Sequence, residues 1–304
     1  DATFAEAAGF PAGAGAAAGL AFADFDLDGD LDLVVANAGD PHVGAGSGKD
    51  ELYRNDGQGG FTADTGFDGP WNGGVIPTTS VAAGDLDADG DPDLVLGKSD
   101  MAGIANGPGE PNVLLDNLGG AVFMDVSSRV QPLWSDNTQG LALADVDLDG
   151  DLDVLVANSW VAVTAGQSGD LLLNQGGLQG GVEGWFVDAP GSGLEDDTAG
   201  YLRLGLAVGD VDADGDPDVL FALHDLGQGG ASQPFLLNQG GAQGGTAGSF
   251  ALQGWYDPGA YISDSIVLLD PDLDGDLEVL QSAAGSLSAE PAPHAARLFL
   301  NTVR

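Results

Sequence analysis

A nine-residue acidic string recurs five times along the chain, and its spacing constrains the fold more than any other feature. It reads DFDLDGDLD at Asp24–Asp32, DLDADGDPD at Asp85–Asp93, DVDLDGDLD at Asp145–Asp153, DVDADGDPD at Asp210–Asp218 and DPDLDGDLE at Asp270–Glu278. Successive copies start 61, 60, 65 and 60 residues apart. A period held over the whole chain marks a repeat architecture, in which each repeat is one supersecondary unit stacked on its neighbours.

The flanks repeat as well. Each string follows a short apolar run (GLAFA, SVAAG, GLALA, GLAVG, SIVLL) and precedes another (LVVAN, LVLGK, VLVAN, VLFAL, VLQSA). Continuous apolar runs of this length predict strands covered on both faces. After a variable loop comes a third run ending in a turn (ELYRNDG, NVLLDNLG, DLLLNQGG, PFLLNQGG, RLFLNTV), then a fourth run containing phenylalanine. Four antiparallel strands per repeat make one propeller blade, so the chain reads as a single all-β domain, a five-bladed β-propeller. The expected blades are about 11–67, 68–130, 131–190, 191–256 and 257–304 plus 1–10. The last pairing follows because the fifth repeat stops after its third run, while TFAEAAGF at Thr3–Phe10 reads as the missing fourth strand. Closure of that kind removes exposed sheet edges.

Composition narrows the function. The 304 residues carry 48 acids against 7 lysines and arginines, a net charge of −41, which makes nucleic acid and anionic membranes poor partners. The strings use 25 of the 48 acids. A solvated acidic surface accounts for the remainder. No cysteine is present, compatible with a secreted protein that uses metal as its staple. No apolar run reaches the length needed to insert into a membrane, and Asp1 does not open a signal peptide, so the sequence reads as a mature form or an excised piece, monomeric and possessing no membrane insertion.

Positions one, three, five and nine of each string are acidic: Asp24, Asp26, Asp28 and Asp32; Asp85, Asp87, Asp89 and Asp93; Asp145, Asp147, Asp149 and Asp153; Asp210, Asp212, Asp214 and Asp218; Asp270, Asp272, Asp274 and Glu278. Calcium takes six to eight oxygens, and alternating residues of a tight loop turn their carboxylates toward one point. Glycine at position six, Gly29 in the first copy, permits the sharp turn. Position seven (Asp30, Asp91, Asp151, Asp216, Asp276) offers its backbone carbonyl, leaving the side chain free. Strings rich in Asp and Gly also make ordinary turns. Five copies with clustered carboxylates, however, repel themselves unless a cation sits among them. Magnesium, which prefers fewer protein ligands, fits less well than calcium. The loop is not an EF-hand, because its twelfth position is Val35, inside a strand. The expectation is about five calcium ions, one per blade, with Glu278 and Pro271 the main departures.

The string DxDxDGDxD between GLAFA-like and LVVAN-like runs, followed by LYRNDGQGGF, resembles the FG-GAP/VCBS repeat family, which includes the propeller of integrin α subunits and many secreted bacterial proteins. The resemblance covers essentially the whole chain. It implies calcium in the turn between strands one and two of each blade, on the lower face, with ligands bound on the upper face, and an extracellular, secreted or cell-surface setting. Integrin propellers have seven blades, so no integrin-like partner carries over.

The upper face would be built from loops joining strands two and three and from the connections between blades, and such loops on a rigid scaffold are where binding resides. Trp71, Trp134, Trp160, Tyr201 and Tyr261 fall there as candidate anchors for a protein or a glycan, although such rings also pack between blades. His42, His224 and His294 lie in the same loops at non-equivalent positions. Five-bladed glycosidases need two carboxylates facing a central cavity. The first runs carry no Asp, Glu, His or Lys, and only Asp68, Asp136, Asp197 and Asp264 stand near the presumed upper mouth. The sequence therefore reads as a calcium-stabilised binding or adhesion module, with a lectin and a carbohydrate-active enzyme as alternatives.

Overall fold

Each acidic string closes a β-hairpin. In the computed structural model of the chain, the described residues are 16–39, 48–69, 71, 77–99, 110–131, 135–159, 169–194, 201–225, 233–241, 244–256, 265–283 and 295–299. Blade one is β1 (Ala17–Ala23), β2 (Asp32–Asn37), β3 (Glu51–Asn55) and β4 (Phe61–Ala63), in that order across its sheet. Blade two is β5 (Thr78–Gly84), β6 (Asp93–Lys98), β8 (Val113–Asn117) and β9 (Phe123–Asp125), with a short β7 (Glu110–Pro111) outside the sheet. Then come β10 (Val130–Gln131) and β11 (Ser135–Asp136), followed by blade three: β12 (Thr138–Ala144), β13 (Asp153–Asn158), β14 (Asp170–Asn174) and β15 (Phe186–Asp188). Blade four is β16 (Tyr201–Gly209), β17 (Asp218–Asp225), β18 (Gln233–Asn238) and β19 (Phe250–Tyr256). Blade five contributes β20 (Ile266–Leu269), β21 (Glu278–Ala283) and β22 (Ala295–Phe299).

The chain is an all-β, five-bladed propeller, as the repeat predicts. First strands pack on one another in chain order, β1 on β5, β5 on β12, β12 on β16 and β16 on β20. The expected fourth strand of blade five, at residues 3–10, lies outside the described residues. Two additions were not legible in the repeat. Strand β10 joins the outer edge of blade three, parallel to β15, and β11 pairs with β7 in a ribbon between blades two and three.

The core sits between blades. Strands β2, β6 and β13 are buried along their whole length. Alternate residues face opposite neighbours: Leu94 and Leu96 pack with Phe25, Val34 and Leu52 of blade one, while Val95 packs with Val154, Val156 and Leu172 of blade three. Both faces of the strand are apolar, which hides the period of two. The first strands share a bulge at one place in four blades, at Ala17/Gly19, Thr78/Ser80, Thr138/Gly140 and Arg203/Gly205. Small residues are required there because neighbouring backbones nearly touch. A Cβ on Gly140 would lie 3.0 Å from the Gly205 Cα.

A buried asparagine ends each described third strand of blades two to four and fastens the blade to its predecessor. Asn117, Asn174 and Asn238 donate from Nδ2 to the Phe25, Leu86 and Val146 carbonyls of the preceding blade at 2.9, 2.8 and 2.7 Å. The same amides reach the Pro92, Leu152 and Pro217 carbonyls of their own blades at 3.1, 3.2 and 3.2 Å. Loss of such a donor strands buried carbonyls. Asn174→Ala is therefore expected to destabilise the protein by roughly 2–3 kcal/mol, measured by denaturant unfolding. Gln58→Ala, at an exposed turn residue, should cost less than about 0.5 kcal/mol.

Candidate metal centre

The acidic loops fold on themselves before any ligand is considered. Asp24 Oδ1 accepts the Asp28 N–H at 3.0 Å and its Oδ2 accepts the Gly29 N–H at 2.9 Å. Asp145, Asp210 and Asp270 accept the equivalent pairs. Asp28 Oδ1 in turn accepts the Asp30 N–H at 3.0 Å. The expected turn glycine is confirmed by φ values of 99°, 95°, 106°, 101° and 97° at Gly29, Gly90, Gly150, Gly215 and Gly275. Sequence reasoning missed position four. Leu27, Ala88, Leu148, Ala213 and Leu273 all adopt φ near +60°, a left-handed conformation that an L-residue enters only at a cost.

Position nine closes the loop from within. Asp32, Asp93, Asp153 and Asp218 are 0–2% exposed. Each accepts the N–H of position two in its own loop, from Phe25, Leu86, Val146 and Val211 at 3.2, 2.9, 3.0 and 2.9 Å. The other oxygen accepts the N–H of the third-strand asparagine, Asn55, Asn117, Asn174 or Asn238, at 2.8, 2.8, 2.9 and 2.9 Å. Each oxygen keeps a lone pair for a further partner. Burial, partly offset by these N–H groups, pushes the carboxyls of Asp93, Asp153 and Asp218 up to about 7, 8 and 6.

Carboxylates of positions one, three and nine come together in the first three loops, without position five in the same groups. Asp24, Asp26 and Asp32 offer oxygens within 4.8 Å of one another, and so do Asp85, Asp87 and Asp93, and Asp145, Asp147 and Asp153. In the fifth loop the group is Asp272, Asp274, Asp276 and Glu278. Glu278 is buried and its Oε2 has no donor. Proline at position two explains part of that loop's difference, because Pro271 has no N–H to give position nine. In the second loop Asp87 and Asp89 also gather Asp116, from β8, a residue that spacing did not reveal.

A hard cation suits this donor set. Buried oxygens of Asp26 (Oδ1), Asp85 (Oδ1), Asp87 (Oδ1), Asp149 (Oδ2), Asp276 (Oδ1) and both oxygens of Asp151 and Asp216 have no hydrogen-bond donor. Buried acceptors of this kind are costly unless a cation or proton meets them. Burial together with the neighbouring acids raises Asp147 to about 6 and Asp151 and Asp216 to about 7.

Two arginines already touch the loops. Arg54 Nη1 lies 2.6 Å from Asp26 Oδ2, while its Nε lies 2.6 Å from Asp64 Oδ2 and its Nη2 donates to the Gly120 carbonyl of blade two at 2.9 Å. Arg129 lies 3.4 Å from Asp87 and 2.7 Å from Asp116. Among the described ion pairs, none reaches the loops of blades three and four.

The other end of the blades is described only in part. Trp71 is half-buried, its ring 6.1 Å from Phe67, and its Nε1 is buried without an acceptor. Asp68 forms an exposed ion pair with Lys49 at 2.7 Å. Trp134, Trp160, Tyr261, His42, His294, Asp197 and Asp264 lie outside the described residues, as do the side chains of Tyr201, His224 and Asp136.

A family model for the FG-GAP-like repeat matches residues 42–96. No curated protein matches the chain. Among solved structures, the V. cholerae biofilm matrix protein Bap1 is 17% identical with a TM-score of 0.49, over 96% of this chain and 40% of that one. An exo-β-1,3-galactanase from Phanerochaete chrysosporium, solved with β-1,3-galactotriose, is 9% identical with a TM-score of 0.51, over 93% of this chain and 60% of that one. The chain thus spans 40% and 60% of the lengths of these two proteins, and at 9% identity the likeness to the galactanase concerns the fold alone. The chain is a five-bladed β-propeller that carries an FG-GAP-like repeat at residues 42–96, with its acidic loops at one end of the blades.

Proposed function

We propose that the chain is a calcium-stabilised extracellular binding module, with metal loops at one end of the ring and a protein or glycan bound by the loops at the other. The observation that carries the reading is the set of buried, donorless carboxylate oxygens in loops already folded by their own backbone amides. Such loops are preorganised for an ion and need little rearrangement to hold it. Calcium supplies charge neutralisation in each loop when bound. No helix among the described residues is long and apolar enough to cross a membrane.

Calcium that binds only the folded state stabilises it by about 2.7 kcal/mol per site at a hundredfold excess over the dissociation constant. Millimolar calcium is therefore expected to raise the melting temperature, and metal analysis should count about five ions per chain. Asp28→Ala should remove one ion and part of the calcium-dependent shift. A melting curve indifferent to calcium would refute the reading.

The raised carboxyl values of the metal-free loops set a pH dependence. A folded-state pKa above the unfolded value contributes stability that is complete below the unfolded pKa and is lost as pH rises through the folded one. For Asp93, Asp153 and Asp218 that loss runs from the ordinary carboxyl value of 3.8 up to the raised values of about 7, 8 and 6. Metal-free protein should melt lower at pH 8.5 than at pH 5.5 by scanning calorimetry, and calcium should reverse the order because it replaces the protons.

Ligand class is tested on a glycan array that includes β-1,3-linked galacto-oligosaccharides, the class of sugar present in the galactanase neighbour. Retention of a sugar without hydrolysis supports a lectin. Release of galactose would replace the binding reading with a catalytic one.

A further inference from the structure

The glycine- and glutamine-rich turns of blades three and four roof their own acidic loops. The two turns share one hydrogen-bond pattern. Gln175 and Gln239 donate to the Trp185 and Ser249 carbonyls at 2.8 Å each, and Gly184 and Gly248 donate to the Asn174 and Asn238 side chains at 3.0 Å each. Their backbones lie directly on the carboxylates. A Cβ on Gly176 would be 2.7 Å from Asp151 Oδ2, and one on Gly240 would be 2.7 Å from Asp216 Oδ2. A Cβ on Gly177 would be 2.6 Å from Asp149 Oδ2, and one on Gly241 would be 2.7 Å from Asp214 Oδ2.

Blades one and two lack the second of these contacts. Gly57 and Gly119 face Asp30 and Asp91, but in blade two nothing lies within 4 Å of a Cβ on Gly120, which stands where Gly177 and Gly241 do, and in blade one that place is taken by Gln58. Their position-five carboxylates, Asp28 and Asp89, are exposed, whereas Asp149 and Asp214 are half-buried. At position seven Asp30, Asp91 and Asp151 are half-buried and Asp216 is buried, and the four differ in which of their oxygens are buried without a donor. Asp216 is 0% exposed with no donor on either oxygen, and both oxygens of Asp151 likewise have none. Asp216 sits among Asp212, Asp214 and Asp218. A fully buried carboxylate beside other carboxylates needs its charge met, by a proton shared with Asp214 or by a cation between them. Blades one and two, by contrast, already set a guanidinium against position three, through Arg54 and Arg129.

We propose that blades three and four hold a tight, slowly released pair of ions in which the position-seven carboxylates Asp151 and Asp216 act as ligands, while blades one and two exchange their ions readily. The inference rests on the calcium reading above. Affinity for calcium follows ligand charge and site rigidity. An extra carboxylate under a water-excluding roof strengthens the attraction, and a nearby guanidinium opposes it. The roof must also lift before the ion leaves.

The experiment loads the whole chain with calcium, adds a chelator, and counts the ions that remain bound over time. Two ions are expected to persist after the others have gone. Asp151→Asn and Asp216→Asn, which preserve side-chain shape, should each release one of the pair about tenfold faster or more. Asp30→Asn and Asp91→Asn should leave the pair in place. Loss of all ions in a single phase would overturn the proposal while leaving calcium binding intact, and the wild-type time course decides this even if a variant fails to fold. Equal effects of Asp30→Asn and Asp216→Asn would also overturn it. A chain that takes up no calcium at millimolar concentration would overturn both this proposal and the reading beneath it.

Discussion

The buried carboxylate at position nine is the point on which the ring depends. Asp32, Asp93, Asp153 and Asp218 each hold two backbone amides, one from the turn between strands one and two and one from the end of strand three. One side chain thereby ties three strands at a single place. The asparagine that gives the second amide then reaches across to the preceding blade, to Phe25, Leu86 or Val146. The acceptor is the carbonyl of position two, whose own N–H is bound to that blade's position nine. Among the described residues loop closure and blade docking are therefore one hydrogen-bonded chain running from blade one to blade four, and cooperative strengthening is expected of such a chain.

Scarce positive charge is placed where blades meet. Arg54 links the loop of blade one to the turn of blade two, and Arg129 lies beneath Gly184 of blade three, whose Cβ would come within 3.3 Å of Nη1. Lys98 is buried at the opposite end, 2.6 Å from Thr78 Oγ1 and 3.5 Å from Asp50. Burial lowers its pKa and the Asp50 carboxylate opposes that shift. With 7 basic residues against 48 acids, protein cations cannot neutralise five loops. The acidic clusters of the loops could hold a metal ion as that counter-charge.

The fifth copy shows how closely the parts are matched. Pro271 removes the position-two amide, and in that same copy glutamate replaces aspartate at position nine. A longer arm at position nine accompanies the loss of the donor that fixes the shorter one, and Glu278 still gathers with Asp272, Asp274 and Asp276. Both departures were visible in the sequence, but their connection was not, because nothing in the spacing says which amide each carboxylate holds.

Much of this protein was legible before any coordinates. The fivefold string, the runs around it and the glycine at position six determine blades, hairpins and acidic turns, since period, strand length and the steric freedom of glycine act locally. The left-handed backbone at Leu27 and Leu148 was not legible, because leucine carries no preference for it and only the closed loop imposes it. Nor were Asp116, the two arginines or the roofs over blades three and four, which reach the loops from strands and turns distant in sequence. The amino-acid order thus determined where carboxylates would gather. The packing of blade on blade decided which of them lost water, which met a guanidinium and which were left facing one another, because desolvation and long-range contact exist only once the ring is assembled.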